Sequence, residues 1–552
     1  MYEELLGEPC LDTFSACLNA RGLYESQRFA LRLSPVVHEL VNRVVEKSER
    51  GETTYTGEEL QAYSTFIHET VHWWQHKGST SGFIRSILYP IQTHANMSEL
   101  RQIMTILGPQ KPIQTLALRG ELGLLPTDST EMGLVANTVT NNFMDTEFYL
   151  AITLKPALEE EIYYNPYFVA AGHSFIITYA LIVGAIRELI DPNGSLFPDP
   201  KILVDNLAQL ADRKVRGYHY GSEIIRAPVG LLDLYEGQAR FIQLQFLALR
   251  SDGLTIADAK KSGMLDGVYG AAFRAFLKIS ESPEPAELVD PLVALFLFIC
   301  DMSINPTAAF PAPIDAYEDF FMEANPGVRF AILCKAVASE APELRTFVKN
   351  YSSQEYRALA QRLGALTGLG NHMDDLNKLW HHASVNRESA SLIEQHKSFR
   401  FTPNNIVLRV LTGEFLMFLS DRLEAPEFFC WTAYWLTKGG GERQREFWLR
   451  HQSLFSDKAD DGALFARKHP ERNEDDVLEV FNQFFAAIIL YDLSKQWVLN
   501  SGTFNLDYSW LTSSPNDPEF MERVNGVFRK NFGVDLCEFK LLDRPPVPKT
   551  EA

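Results

Sequence analysis

Apolar residues recur every three or four positions along most of this chain, the spacing that lines one face of a helix. In "SPVVHELVNRVVEKSERG" a serine, Ser34, stands where a cap belongs, the apolar positions repeat, and Gly51 ends the run. The same spacing covers roughly 229–250, 256–278, 327–338, 354–364, 405–422 and 475–498. Alternation bounded by tight turns is nearly absent, and only "TPNNIVLRVL" (402–411) and "DLCEFKLLD" (535–543) suggest short strands. The pattern predicts a mainly α protein with few short strands.

Some stretches are apolar all round. "YYNPYFVAAGHSFIITYALIVGAI", Tyr163 to Ile186, carries no charge for 24 residues, which is long enough to span a bilayer. Asn165, Pro166, His173, Ser174 and Thr178 interrupt it, and the expectation is a buried central helix rather than a membrane span. "PLVALFLFIC" (291–300) and "FNQFFAAIIL" (481–490) are too short to span and read as core. Pro- and Gly-rich punctuation falls at 191–200, 280–291 and 303–315. The middle stretch marks the expected boundary between a domain 1–280 and a helical domain 281–542. The tail 543–552, "DRPPVPKTEA", is expected to be disordered.

Composition narrows the function classes. Hydrophobic content of 46 % and aromatic content of 12 % belong to a folded globular chain. A net charge of -20, with no run of Lys and Arg, argues against nucleic acid or an anionic membrane as partner. Cys10, Cys17, Cys300, Cys334, Cys430 and Cys537 form no CxxC pair, so neither a zinc ribbon nor a disulfide framework is expected. The start, "MYEELLGEPCLDTF", has acids where a signal peptide needs a basic region and an apolar core. A cytoplasmic location is the expectation.

Three of the chain's 13 histidines fall four apart in "TGEELQAYSTFIHETVHWWQHKG" (56–78). Thr56 and Glu59 fit a capping box and Gly78 a stop, while Leu60, Tyr63, Ile67, Val71 and Trp74 form an apolar stripe. His68 and His72 are then one turn apart beside that stripe, where two imidazoles can share one zinc ion. Glu69, one step round, can serve a water on that ion as general base. His76 lies two turns, about 12 Å, from His68, too far to share the ion, and reads as a surface or supporting histidine.

His68-Glu69-Thr70-Val71-His72 matches HExxH, and the chain here resembles the zincin metallopeptidases. The metzincin extension is absent, because Gly78 stands where its third histidine belongs. The resemblance is to the gluzincins, which implies a glutamate ligand from a later helix. "APVGLLDLYEGQARFIQLQFLALRSDG" (227–253) supplies Glu236 in an ExxA-type setting, beside the stripe Leu232, Tyr235, Ala239, Ile242 and Phe246. Gly237 and Ala239 are small enough to let the two helices pack closely. Arg240 stands where many such families place an aspartate, and it offers Glu236 a salt bridge instead. His173, Asp145 and Glu147 are the competing ligands.

The resemblance implies zinc-assisted hydrolysis of peptide bonds in a protein or peptide substrate, with Glu69 moving the proton. His219 and Tyr220, just upstream of the glutamate helix, are the expected donors to the oxyanion. A helical scaffold or regulatory protein with a structural or inactive zinc site is the alternative. The aromatic-rich second half, densest at 427–449, could dock a regulatory protein partner.

Overall fold

The computed structural model describes residues 21–545, apart from 27, 127–129, 224, 252, 470–471 and 509–516. The start of the chain with Cys10 and Cys17, and most of the tail 543–552, lie outside the described residues.

The protein is mainly α. The elements that position the site are, in chain order, β1 (Gly22–Glu25), β2 (Ala30–Leu33), α1 (Gly57–Gly78), α2 (Ala171–Ile190), α3 (Leu231–Arg250), α4 (Val268–Ile279), α5 (Pro291–Ser303), α6 (Ile406–Glu424), α7 (Glu442–Arg450), β3 (Phe455–Lys458), β4 (Asp461–Ala466) and α8 (Glu474–Leu499). The four strands form one sheet in the order β1-β2-β3-β4. β1 and β2 are antiparallel, and β2 pairs with β3 in parallel, Ala30 opposite Phe455. β1 is therefore an edge strand.

α1 starts as its sequence dictates. The Glu59 backbone N–H donates to Thr56 Oγ1 at 3.2 Å, the Thr56 N–H to Glu59 Oε2 at 2.8 Å, and Lys47 Nζ adds a second hold on that carboxylate. The helix ends at Gly78, where only glycine fits: a Cβ there would sit 2.1 Å from the Phe418 ring of α6. Between these ends α1 is buried on most sides. Trp73 is wholly covered, and Trp74 packs on Phe428, Phe429 and Trp448 while its Nε1 donates to the His451 carbonyl. Truncating Trp74 to alanine should cost about 3–5 kcal/mol.

α3 runs antiparallel to α1. Gln243 bonds Ser64 at one end of the contact, and Gln75 bonds Tyr235 and Gln238 at the other. The helix begins at Leu231, held by a bond from the Gly230 N–H to Asp233. Gly237 permits close packing, but against Ala272 of α4 and Phe296 of α5 rather than α1.

Several expectations need correction. The division at residue 280 does not separate two cores: one cluster joins Ile67 and Leu234 to Phe296, Phe415 and Phe481. A smaller cluster joins residues 100–143 to 489–542. The 281–290 stretch is a connection between α4 and α5, both packed on α3, and its prolines mark only a surface turn. The stretch 402–411 leads into the helix α6, since an apolar run as long as Ile406–Glu424 is long enough for a buried helix. The 256–278 segment breaks into Ile256–Lys261 and α4, with Gly263 and Gly267 at positive φ between them. Within 535–543 only Lys540–Leu541 is extended, paired with Gln110–Lys111.

Among the described residues two helices are long and apolar enough to cross a membrane, α2 and α8, and 67 % and 56 % of their apolar windows are buried within the fold. The run 481–490 is thus part of a 26-residue helix and not an isolated short element.

Candidate metal centre

Spacing of four on α1 brings His68 and His72 together, their Nε2 atoms 3.0 Å apart and their rings nearly perpendicular. Glu236 reaches across from α3, with Oε2 3.5 Å from His68 Nε2 and 3.3 Å from His72 Nε2. Three donor atoms of the types that bind zinc thus face one point. Among the described residues this is the one group of three such ligands within mutual reach.

The size of the triangle can be tested against an ion. Tetrahedral zinc with bonds of about 2.0–2.1 Å separates its donors by about 3.3–3.4 Å. Sides of 3.0, 3.3 and 3.5 Å bracket that value and give a circumradius of about 1.9 Å. An ion about 0.8 Å off the plane would lie about 2.0–2.1 Å from all three atoms. The residues fit the metal. The side chains of Glu236 and His72 are 22 % and 15 % exposed, so one side of the triangle opens toward solvent.

Orientation comes from Gln75, one turn beyond His72. Its Oε1 lies 2.8 Å from His72 Nδ1 and accepts that N–H, which leaves the Nε2 lone pair directed at the triangle. Its Nε2 donates to the Tyr235 carbonyl at 3.0 Å and to Gln238 Oε1 at 2.9 Å. One side chain therefore sets the imidazole and ties α1 to the turn of α3 that carries Glu236. His68 Nδ1 is buried with no hydrogen-bond partner among the described residues.

The three groups are electrostatically coupled. Burial would raise the Glu236 carboxyl, but its bonds to His68 and His72 outweigh that and hold it well below the usual carboxylate range. Burial also works against a charged His72, yet the bond and charge of Glu236, with Glu69 behind them, push it up to about 9. For His68 burial wins and draws it down to about 3.

Glu69 lies beneath the edge strand. A Cβ on Gly22 of β1 would sit 2.8 Å from Glu69 Cγ, so only glycine lets the strand pass this closely. The Tyr24 N–H donates to the Glu69 carboxylate, and burial raises that carboxyl to about 7. His76 is separate from the triangle and buried, not on the surface: its Nδ1 is 2.6 Å from the Tyr24 hydroxyl and its ring lies against Phe29.

The competing ligands are engaged elsewhere. His173 pairs with Asp145 at 3.1 Å, and Glu147 pairs with Lys495 at 2.8 Å. Arg240 bonds Gln243 and lies 3.9 Å from the Tyr269 ring centroid, while the ion pairs of Glu236 go to the two histidines.

His219 and Tyr220 are not brought to the triangle. His219 Nδ1 bonds the Tyr220 carbonyl and Tyr220 is 78 % exposed, in a loop anchored on Gly172 and Phe321. No hydrogen bond or ring contact among the described residues joins either one to His68, His72 or Glu236. An aromatic ring beside the site is that of Tyr269 on α4, 6.2 Å from the ring of His68. Sequence reasoning missed it, because "LDGVYGAAF" carries no motif and only packing of α4 on α3 brings it there.

No family model, no curated protein and no solved structure matches the chain.

Proposed function

We propose that the chain is a zinc-dependent peptidase, cleaving peptide bonds of a protein or peptide substrate. The observation that carries the reading is the convergence of His68, His72 and Glu236 on a point of zinc-binding dimensions, with Glu69 between the two histidines in sequence. Zinc held there would supply Lewis acidity to a water and to the scissile carbonyl. Glu69 takes the proton of the attacking water and returns it to the leaving amine. A buried carboxyl one step round the helix from His68 is placed for both transfers. Tyr269 is the side chain assigned to the oxyanion, and Gln75 holds His72 in the productive tautomer.

Two further features favour a peptidase over a structural zinc protein. A structural zinc takes four protein ligands, whereas this cluster offers three and an open side. A cavity of about 920 Å³ lined by Tyr55, Tyr63, Phe246, Trp435 and Trp448 lies along the same two helices. Tyr63 precedes His68 by about 7.5 Å of helix rise. The cavity's volume is near the top of the range for ligand pockets, about 300–1,000 Å³.

The test is a pool of quenched fluorogenic peptides incubated with zinc-loaded wild type and Glu69→Gln. The variant should keep its zinc and its fold and lose about 10²–10⁴-fold in rate. Equal behaviour of the two proteins on every peptide would leave a scaffold with a structural zinc as the better account.

A further inference from the structure

The C-terminal end of α1 enters a second polar region, independent of the zinc reading. Two small adjoining cavities of about 20 and 30 Å³ meet there. Together they are lined by the cations Lys77, Lys397, Arg450, Arg467, Lys468 and Arg472, and by one carboxylate, Glu414. This concentration of positive charge stands out in a chain of net charge -20.

Glu394 takes Lys397 at 2.7 Å, but the acids at hand do not balance the rest. Asp421 takes both Arg450, at 2.8 Å, and His451, at 2.7 Å. Glu414 is shared by His396 at 2.9 Å, Lys77 at 3.4 Å and Arg472 at 3.5 Å. Lys77 is the most exacting case. Its ammonium is 6 % exposed and has three N–H donors, yet its only polar partner among the described residues is that 3.4 Å contact. The rings of Trp73 and Phe418 take part of its charge, with Nζ 4.5 and 5.5 Å from their centroids. Arg467 donates Nε to Ser453 Oγ at 3.0 Å. Burial pulls Lys77 down to about 8 and Arg467 to about 10, so both ionised forms would gain from an added negative charge.

We propose that these cavities form a binding site for a phosphate-class oxyanion, either free phosphate or the terminal phosphate of a small metabolite such as a nucleotide. An oxyanion with several acceptor oxygens can satisfy Lys77 and the arginine forks at once, which one carboxylate already shared three ways cannot. A cleft lined by one sign of charge also concentrates small anions. The narrowness of the cavities excludes a polymer, as does the acidic balance of the rest of the chain.

The experiment is calorimetry and thermal unfolding of the full chain against inorganic phosphate and against ATP, at constant ionic strength with chloride as control. Phosphate or ATP should bind at millimolar concentration or tighter and raise Tm in step with ligand concentration. Arg467→Gln and Lys77→Met should each weaken binding about 10-fold or more, and Lys468→Gln at the exposed rim replaces either if one fails to fold. Binding by ATP alone identifies the source as a metabolite phosphate, and equal or better binding by phosphate identifies the free ion. No Tm rise beyond chloride with either probe, or binding that all folded variants retain, overturns the proposal. Repeating the titration on His68→Ala separates this outcome from failure of the zinc reading.

Discussion

Replacing Gln75 with methionine removes three hydrogen bonds without changing the side chain's volume much. Oε1 holds His72 Nδ1 at 2.8 Å, and Nε2 holds Tyr235 O at 3.0 Å and Gln238 Oε1 at 2.9 Å. Gln75 is 4 % exposed, so water does not replace those bonds freely. A buried polar group left without its partner costs about 1–3 kcal/mol, and Gln238 can re-aim, so a stability loss of about 2–4 kcal/mol is expected. The specific effect is on metal. His72 loses the acceptor that fixes its tautomer, and outer-sphere losses of this kind lower affinity about 10–100-fold. At 1.4 kcal/mol per factor of ten, that is about 1.4–2.8 kcal/mol. The assay is zinc competition against a chromophoric chelator, run at a temperature where the variant is folded by circular dichroism. Gln75→Glu is the control: it keeps an acceptor for His72 and should bind zinc more tightly than Gln75→Met. Zinc affinity of Gln75→Met within twofold of wild type would refute the positioning role.

Other outcomes follow from named contacts. Tyr269→Phe should lower kcat about 10-fold or more with KM little changed, while His219→Ala and Tyr220→Phe should leave both constants alone; the reverse ranking in steady-state kinetics would restore the loop donors. Gly78→Ala sets a methyl 2.1 Å from the Phe418 ring, so urea unfolding should show a loss of about 1–3 kcal/mol that Phe418→Leu partly restores. Glu159 is 1 % exposed and burial raises it from 4.5 to about 7. The folded state therefore binds the proton more tightly than the unfolded one, and stability is full below about pH 4.5 and falls as pH rises toward 7. Glu159→Gln should raise Tm at pH 8 and leave it unchanged at pH 4; an equal shift at both would contradict the assignment.

The helix that carries His68 and His72 was legible because its signals are local. The Thr56–Glu59 box, the four-residue histidine spacing and the stripe around Ile67 all act within one helix, and each appears in the structure. Glu236 was legible for a different reason: a carboxylate beside an apolar stripe needs a partner, and few chemistries supply one. What failed depended on distance along the chain. β2 pairs with a strand some 425 residues later (Ala30 with Phe455), and no periodicity in either segment announces it. Gly237 was correctly read as a close-packing position but assigned to the wrong neighbour, since small size says nothing about which helix arrives. The prolines of 281–290 looked like a linker because a surface turn inside one core has the same composition. Tyr269 and the basic cavities around Lys77 arise where four or more elements meet, and such meetings leave no local pattern.

The central claim is that His68, His72 and Glu236 hold one zinc ion. Anomalous diffraction at the zinc edge from crystals of zinc-loaded protein tests it directly. The account predicts one peak per chain, within about 2.0–2.2 Å of His68 Nε2, His72 Nε2 and a Glu236 carboxylate oxygen. A peak elsewhere, or none at these residues in protein whose histidines are intact and zinc in excess, would contradict it.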